Sequence, residues 1–411
     1  MKPTKDFNLV IYGATGFTGT LAAEYVLREY GEKDLKWAIA GRSETKLEKM
    51  RTTLKEVPGI IVADGDDDAA LKALAERTEA VATCAGPFSR YGSKLVRACA
   101  EAGTAYCDIT GESDWVRDMI DEYDDVARAS GARIVHFCGH DSVPWDLCTL
   151  MLSKKLAEAG DTLKAVDFYD DIKSSPSGGT LETMFGILSG ADAKKKQKTS
   201  SFDPLLKKGE GAAPFKLKAA NVNTLEFAGR GDYAARSFFV MAGVNANVVK
   251  RSNALLGYAD SFTYREGLAH ASSLEAVSTF LALAAFGVAL FVPPLRYLLR
   301  RAVLPKPGEG PSREDMLQGH LHVTAYATGH QGTKAACKMS FKVDPGYMDT
   351  ARMVVEAALA LSLDKDKLLD VPGGSYTPAS CQGTVLLDRL CKTGSTFEYL
   401  DDESPASSSS A

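Results

Sequence analysis

The chain has no CxxC pair among its eight cysteines, at 84, 99, 107, 138, 148, 337, 381 and 391, and most of them lie in apolar stretches. A disulfide scaffold is thereby excluded, and reduced cysteines in a reducing compartment are expected. No HExxH pattern is present and no Ser-His-Asp arrangement is legible, so no metal site or triad is predicted. Basic charge is not in excess either: 48 Lys and Arg against 53 Asp and Glu give a formal net charge of −5. That balance argues against nucleic acid as a partner, which usually needs a basic surface. Met1 to Phe7 is short and polar and Asn8-Leu-Val-Ile-Tyr already reads as a strand. No secretory signal is predicted, and the chain is expected on the cytoplasmic side. What remains is a 411-residue chain, 45% hydrophobic and 25% charged, long enough for two or three domains.

Residues 1–150 alternate strand and helix. Apolar runs at Asn8–Tyr12, Trp37–Ala40, Ile60–Ala63, Ala80–Cys84, Ala105–Asp108 and Ile134–Cys138 are separated by helical compositions near 19–30, 45–56, 69–76, 93–102 and 115–129. Strands spaced by helices predict an α/β fold with a doubly wound, Rossmann-type parallel sheet. Residues 160–345 read as a second, α+β domain with a mostly antiparallel sheet. Its strands are predicted at Ala165–Ile172, Arg236–Ala242, His320–Thr328 and Ala335–Lys342, with a helix at 180–189 and an exposed connection at 194–218. Helices near Asp349–Leu361 and Gly383–Cys391 are predicted to close the fold within 346–400, and 401–411 reads as a disordered low-complexity tail.

Gly13-Ala-Thr15-Gly16-Phe17-Thr-Gly19 stands between the first strand and the first helix. A pyrophosphate must approach the backbone closely there and meet the free N–H groups of a helix N-terminus. Gly13 is assigned to the tight turn, Gly16 to the phosphate's space and Gly19 to close helix packing. The second strand ends in Ala40-Gly41-Arg42-Ser43, with Lys46 one turn on and no carboxylate at the tip. Such a tip suits a 2′-phosphate, so the expected cofactor is NADP(H) rather than NAD. Asp64, after the third strand, is a candidate for the adenine edge, or a turn residue. Ala85-Gly86-Pro87, after the fourth, is expected beside the nicotinamide half.

Taken together, these segments resemble the saccharopine dehydrogenase-like oxidoreductases, and within them the trans-acting enoyl reductase branch. The resemblance extends through Cys84-Ala-Gly-Pro-Phe-Ser-Arg-Tyr91-Gly92, Gly103-Thr-Ala-Tyr106-Cys-Asp108-Ile-Thr-Gly111-Glu112, Gly139-His-Asp141-Ser-Val-Pro144-Trp-Asp146, Arg251-Ser-Asn-Ala-Leu255, Pro305–Ser312 and Thr377-Pro-Ala379. It implies an NADPH-type reductase associated with lipid or glycolipid metabolism. Animal members of the family are linked to lipid droplets and membranes. Mycobacterial members are assigned reduction of a carbon–carbon double bond, in trans to a polyketide synthase. Relatives also include an imine-type reductase. The chain departs from the family pattern at His140, where phenylalanine is general, and at Trp145, where a small residue is common.

For an enoyl group the hydride arrives at the β-carbon, charge builds on the carbonyl oxygen, and one proton must be supplied. Asp141 is the leading acid candidate because a glycine and a proline fix its loop. Tyr91 is read as a hydrogen-bond donor or a packing residue, and His140 as a proton carrier or a packed histidine. Asp108, Glu112 and Asp146 also follow strand ends, where α/β sheets hold ligands.

Ala276–Val292 is apolar except for Ser278, Thr279 and Gly287, and Pro293-Pro294 and Leu295-Arg-Tyr-Leu-Leu-Arg300-Arg301 follow it. A span wants about 20 apolar residues, so this one sits at the limit. The overall mean hydropathy of −0.12 does not fit an integral membrane protein. Segment 276–301 is therefore read as a peripheral membrane or lipid-droplet anchor, with a buried or homodimer helix and a true span as alternatives. The resulting expectation is an NADPH-dependent oxidoreductase acting on a lipid-like substrate. An imine or carbonyl reductase, and a non-catalytic lipid-droplet protein with a dinucleotide fold, are the alternatives.

Overall fold

The computed structural model describes residues 5–31, 34–55, 59–140, 142–174, 205, 216–219, 225–227, 229–292, 294–295, 297 and 310–401. The helix expected at 180–189, nearly all of the 194–218 connection, the tail beyond 401 and Asp141 lie outside them.

The first half alternates strictly. Strand β1 (Phe7–Tyr12) leads into helix α1 (Phe17–Tyr30), β2 (Trp37–Gly41), α2 (Glu44–Leu54), β3 (Ile60–Val62), α3 (Asp68–Arg77) and β4 (Thr78–Thr83). Then come a short helix α4 (Phe88–Tyr91), α5 (Ser93–Ala102), β5 (Ala105–Asp108), α6 (Ser113–Ser130), β6 (Arg133–Val135) and α7 (Val143–Glu158). The strands are apolar on both faces because helices cover both, as parallel sheets require. Leu9, Ile11 and Ile39 point into one core with Ala22 and Val26 of α1. Their alternating neighbours Val10, Ala38 and Val81 join Leu71, Leu74 and Val96 in the other.

Further along lie β7 (Leu163–Lys173), β8 (Lys216–Ala219), β9 (Ala235–Ser237), α8 (Ala242–Leu256), β10 (Ser261–His270) and α9 (Ser273–Phe291). Helix α10 (Arg313–Leu317), β11 (His320–Gly329) and β12 (Lys334–Phe341) follow, then a π-helical turn at Pro345–Asp349, α11 (Thr350–Leu363), β13 (Gly374–Tyr376), α12 (Pro378–Cys381), α13 (Gly383–Lys392) and β14 (Thr396–Leu400).

The first sheet has seven parallel strands in the order β3-β2-β1-β4-β5-β6-β13. The second runs β14-β12-β11-β7-β10-β8, with β9 on β10. Its pairings are antiparallel except β10 with β7 and with β8. One face carries Leu163, Val166, Phe168, Leu321 and Val323 into a core shared with Trp145, Leu147 and Leu156 of α7.

The strand expected over Arg236–Ala242 is shorter than its composition suggests. Only Ala235–Ser237 pairs; Phe239 leaves the sheet to pack its ring 5.8 Å from that of Trp145, and α8 begins at Ala242. The C-terminal region does more than close the fold with helices, since β13 extends the first sheet and β14 the second. Helix α11 is buried all round, from Thr350 to Ser362. Such a helix must be sandwiched, and it lies between β1, β4 and β5 on one side and α1 and α13 on others. The eight cysteines are all free.

Candidate active site

Strand order reverses between β1 and β4, the switch point where open α/β sheets leave a crevice. The glycine turn occupies it. Gly13 has φ +77°, and a Cβ there would stand 2.9 Å from that of Ala85. At Gly19 a Cβ would lie 2.2 Å from the Gly13 carbonyl oxygen and 2.8 Å from the Ala14 Cα. Gly16 is different: its nearest neighbour would be the same oxygen at 3.3 Å, so the space beyond is open.

Helix α1 starts on Gly16 with no side-chain cap and no acidic residue in its first turn. By contrast, Ser43 caps α2 by accepting from the Lys46 N–H, and Asp67 caps α3. A helix N-terminus left without a cap beside a glycine cradle fits a diphosphate, whose oxygens satisfy the free N–H groups. Gly13, Thr15, Gly16, Phe17 and Gly19 are the residues that would hold it.

Arg42, at the end of β2, and Lys46, in the first turn of α2, are both exposed, as a 2′-phosphate site needs. Ser43 spends its hydroxyl on the α2 cap. Asp64 is also exposed and accepts from the Asp66 N–H at 3.0 Å, which makes it a turn residue. Both Asp64 and Arg42 act on the buried Tyr12 hydroxyl. Burial first and then Asp64 push it up to about 12, against Arg42.

Ala85-Gly86-Pro87 lies over the Gly13 turn. The Glu112 carboxylate holds it there by accepting from the N–H groups of Phe88 (2.7 Å) and Ser89 (3.1 Å) at the start of α4. Both Glu112 oxygens are thus occupied in capping. Tyr91 is 44% exposed, and its carbonyl oxygen would be 3.8 Å from a Cβ at Gly65, after β3. The structure brings Tyr91 to the β3 side of the crevice.

The turn after β6 is firmly built. Phe137 has φ +63°, a strained conformation for a bulky residue. Buried Asp108 supports it, accepting from the Phe137 N–H at 3.1 Å and pairing with His136 Nδ1 at 2.7 Å. His140 is buried, its N–H donates to Thr350 Oγ1 at 3.0 Å, and its ring meets Trp145 edge-on at 5.4 Å.

The carboxyls of Asp344 and Asp349 stand near enough to His140 to feel its charge. Burial raises both above the usual carboxylate range, and His140 opposes this. Asp344 accepts from Ser174 Oγ (2.6 Å) and the Tyr347 N–H (2.7 Å), while the Tyr347 ring lies 5.3 Å from that of Phe17. Segment 344–350 therefore joins the glycine turn to His140. Beyond, Ser142 Oγ donates to Asn245 Oδ1 at 3.3 Å, and Asn245 Nδ2 donates to Glu266 Oε1 at 2.7 Å. Asp344, Asp349, Asn245 and Glu266 were missed in the sequence, since each lies more than a hundred residues from the turn it faces and belongs to no local motif.

Asp146 lies inside α7, accepting from Ser252 Oγ at 2.5 Å and from the Ala379 N–H at 2.8 Å. It ties α7, α8 and α12 together. Burial raises it from 3.8 to about 7. A raised carboxyl stabilises the fold below the unfolded value, and that contribution is lost as pH rises through the folded one. Melting temperature should therefore fall between about pH 4 and 7 and level off above. Asp146→Asn, which keeps one acceptor and stays neutral, should flatten this slope and melt higher than wild type at pH 8. An unchanged slope in Asp146→Asn would refute the assignment.

Crevice, glycine cradle and helix N-terminus define a dinucleotide-dependent oxidoreductase. Residues 9–135 match the family described as Saccharopine dehydrogenase NADP binding domain. Over 413 aligned residues the chain is 37% identical to a Mycobacterium tuberculosis protein provisionally named as a trans-acting enoyl reductase, covering 96% of this chain and 97% of the relative. The trans-acting enoyl reductase of Mycobacterium ulcerans is 34% identical, covering 95% and 97%. Among solved structures, apo saccharopine dehydrogenase (L-Glu forming) from Saccharomyces cerevisiae is similar over 96% of this chain and 100% of its own, at 13% identity and a TM-score of 0.49. The chain belongs to the saccharopine dehydrogenase-like oxidoreductases, in the trans-acting enoyl reductase family. It is an NADP-dependent oxidoreductase.

Proposed function

We propose that the chain reduces an enoyl double bond in a long-chain, lipid-like substrate. The observation that carries the lipid reading is α9. Within it, Ser273–Leu290 is long and apolar enough to cross a membrane, yet only 11% of that window is buried. Leu274, Leu281 and Val288 are 80%, 60% and 62% exposed. An apolar helix left outside the core of a folded domain marks a contact with something apolar. In the sequence, Arg296, Arg300 and Arg301 follow soon after it and add the positive charge that anionic headgroups attract. Peripheral attachment to a membrane or lipid droplet through 276–301, on the cytoplasmic side, is the reading this supports.

NADPH, when bound, supplies the hydride. This chain's residues position the partners and supply the proton. Gly13–Gly19 and the α1 N-terminus would hold the diphosphate, and Arg42 with Lys46 the 2′-phosphate. His140, buried beside Asp344 and Asp349, would deliver the proton, with Asp141, its neighbour in the sequence, as the second candidate. Replacing Arg42 by alanine should weaken NADPH binding roughly tenfold to a hundredfold and leave NADH unchanged, because a charge-assisted contact is worth about 1.5–3 kcal/mol. Fluorescence titration of both nucleotides checks this.

The function itself is tested by incubating the protein with NADPH deuterated at the transferable position and a long-chain enoyl thioester, a cyclic imine or a ketone. Deuterium should appear at the β-carbon of the thioester product, and turnover should rise with phosphatidylglycerol-containing vesicles. Consumption of the imine or ketone alone would overturn the enoyl reading. Full lipid reduction by a vesicle-independent Δ276–301 variant would overturn the role of α9.

A further inference from the structure

Strands β7 and β11 run antiparallel, with His322 directly opposite Asp171 and His320 opposite Lys173. Residues two apart on a strand share a face, roughly 6.8 Å apart along it. His320, His322 and Asp171 therefore project together from the outer face of the second sheet, opposite the face that packs on α7. One ligand atom from each residue lies within 4.8 Å of the other two. The two imidazoles stack with centroids 5.1 Å apart, and His320 Nε2 is 3.2 Å from Asp171 Oδ1. His322 Nδ1 is buried and has no hydrogen-bond partner. A buried ring nitrogen without a partner is costly unless something completes it.

We infer that Asp171, His320 and His322 form a binding site for a divalent transition-metal ion of the zinc class. Two imidazoles and a carboxylate are the donor set such ions prefer, whereas Mg²⁺ and Ca²⁺ demand oxygen donors. Three protein ligands leave a further coordination position to water or to an external group. Asp171 and His320 are 41% and 34% exposed at their side chains, so an ion can enter from solvent. The ion takes the position between His320 and Asp171 now bridged by their hydrogen bond. Lys338 is the cationic neighbour that acts on His322, and Lys173 faces His320 across the strands; both temper the affinity. The site stands on the second sheet and uses none of the residues assigned above to the nucleotide or to proton delivery.

Calorimetric titration of the full-length, chelator-treated protein with ZnCl₂ should show one site per chain. Asp171→Asn, His320→Ala and His322→Ala should each weaken it by about tenfold or more, and the double histidine variant should abolish it. NADPH titration of the same variants, unchanged from wild type, confirms that they are folded; Asp171→Asn, which preserves shape, serves if a histidine variant is not. Cobalt substitution should give visible bands of a nitrogen–oxygen site without thiolate charge transfer. The assignment is overturned by no binding, by equal affinity for Mg²⁺, by thiolate bands, or by unchanged binding in the double variant.

Discussion

Replacing Gly19 by valine should weaken NADPH binding about 100-fold, a loss of about 3 kcal/mol at the upper end of overpacking costs. The physical reason is local. A Cβ at this position meets the Gly13 carbonyl oxygen at 2.2 Å and the Ala14 Cα at 2.8 Å, both backbone atoms that cannot rotate away. Helix α1 must withdraw from the turn, and its N–H groups lose their aim at the diphosphate. Gly16→Ala is the informative companion. Its Cβ meets protein only at 3.3 Å, so any loss of affinity there reports space needed by the ligand rather than by the fold. Wild-type affinity in Gly19→Val, measured by fluorescence titration, would show that the nucleotide does not use this crevice.

Glu356→Leu should destabilise the protein by about 3–5 kcal/mol, the range for breaking a buried ion pair from one side. Glu356 is wholly buried on α11. It accepts from the hydroxyls of Tyr25 at 2.6 Å and Tyr30 at 2.7 Å, and from Arg389 Nε at 2.7 Å. Burial, together with the neighbouring carboxylate, raises both phenols, so they remain neutral donors. Removing the carboxylate leaves the Arg389 charge and two hydroxyls short of a partner, with Asp364 the remaining anion on the guanidinium. Glu356→Gln retains an acceptor and should lose less. Denaturant unfolding followed by circular dichroism separates the two. Because Tyr25 and Tyr30 belong to α1, NADPH affinity should fall in the leucine variant too.

The nucleotide half was legible because its signals are local. Glycine spacing, runs apolar on both faces and the Arg42 tip all lie within one strand–turn–helix unit, and β1 to β6 appeared within a few residues of expectation. Helix α8 was not, since Asn245, Lys250, Arg251, Ser252 and Asn253 are buried in it and blur the apolar stripe that marks a helix. Strand β10 was obscured in the same way by buried Glu266 and half-buried Arg265. Strand β13 has only three residues and is defined by its neighbour, not by its own composition. Around His140 the sequence offered the turn but not its surroundings, because Asp344, Asp349 and Glu266 arrive from distant strands and helices. His320 and His322 suggested no site in the sequence, because the carboxylate that joins them lies 149 residues away from His320.

The seventh strand of the nucleotide sheet comes from residues 374–376, hydrogen-bonded to β6 and held by the Arg251 guanidinium on the Ser375 carbonyl. During synthesis, then, the ribosome releases the glycine turn long before the piece that seals the sheet's outer margin. Until roughly the last tenth of the chain emerges, β6 presents bare amide and carbonyl groups, and α11 has yet to roof β1 and β4. Expression of residues 1–160 alone should yield insoluble material, however complete its dinucleotide motif.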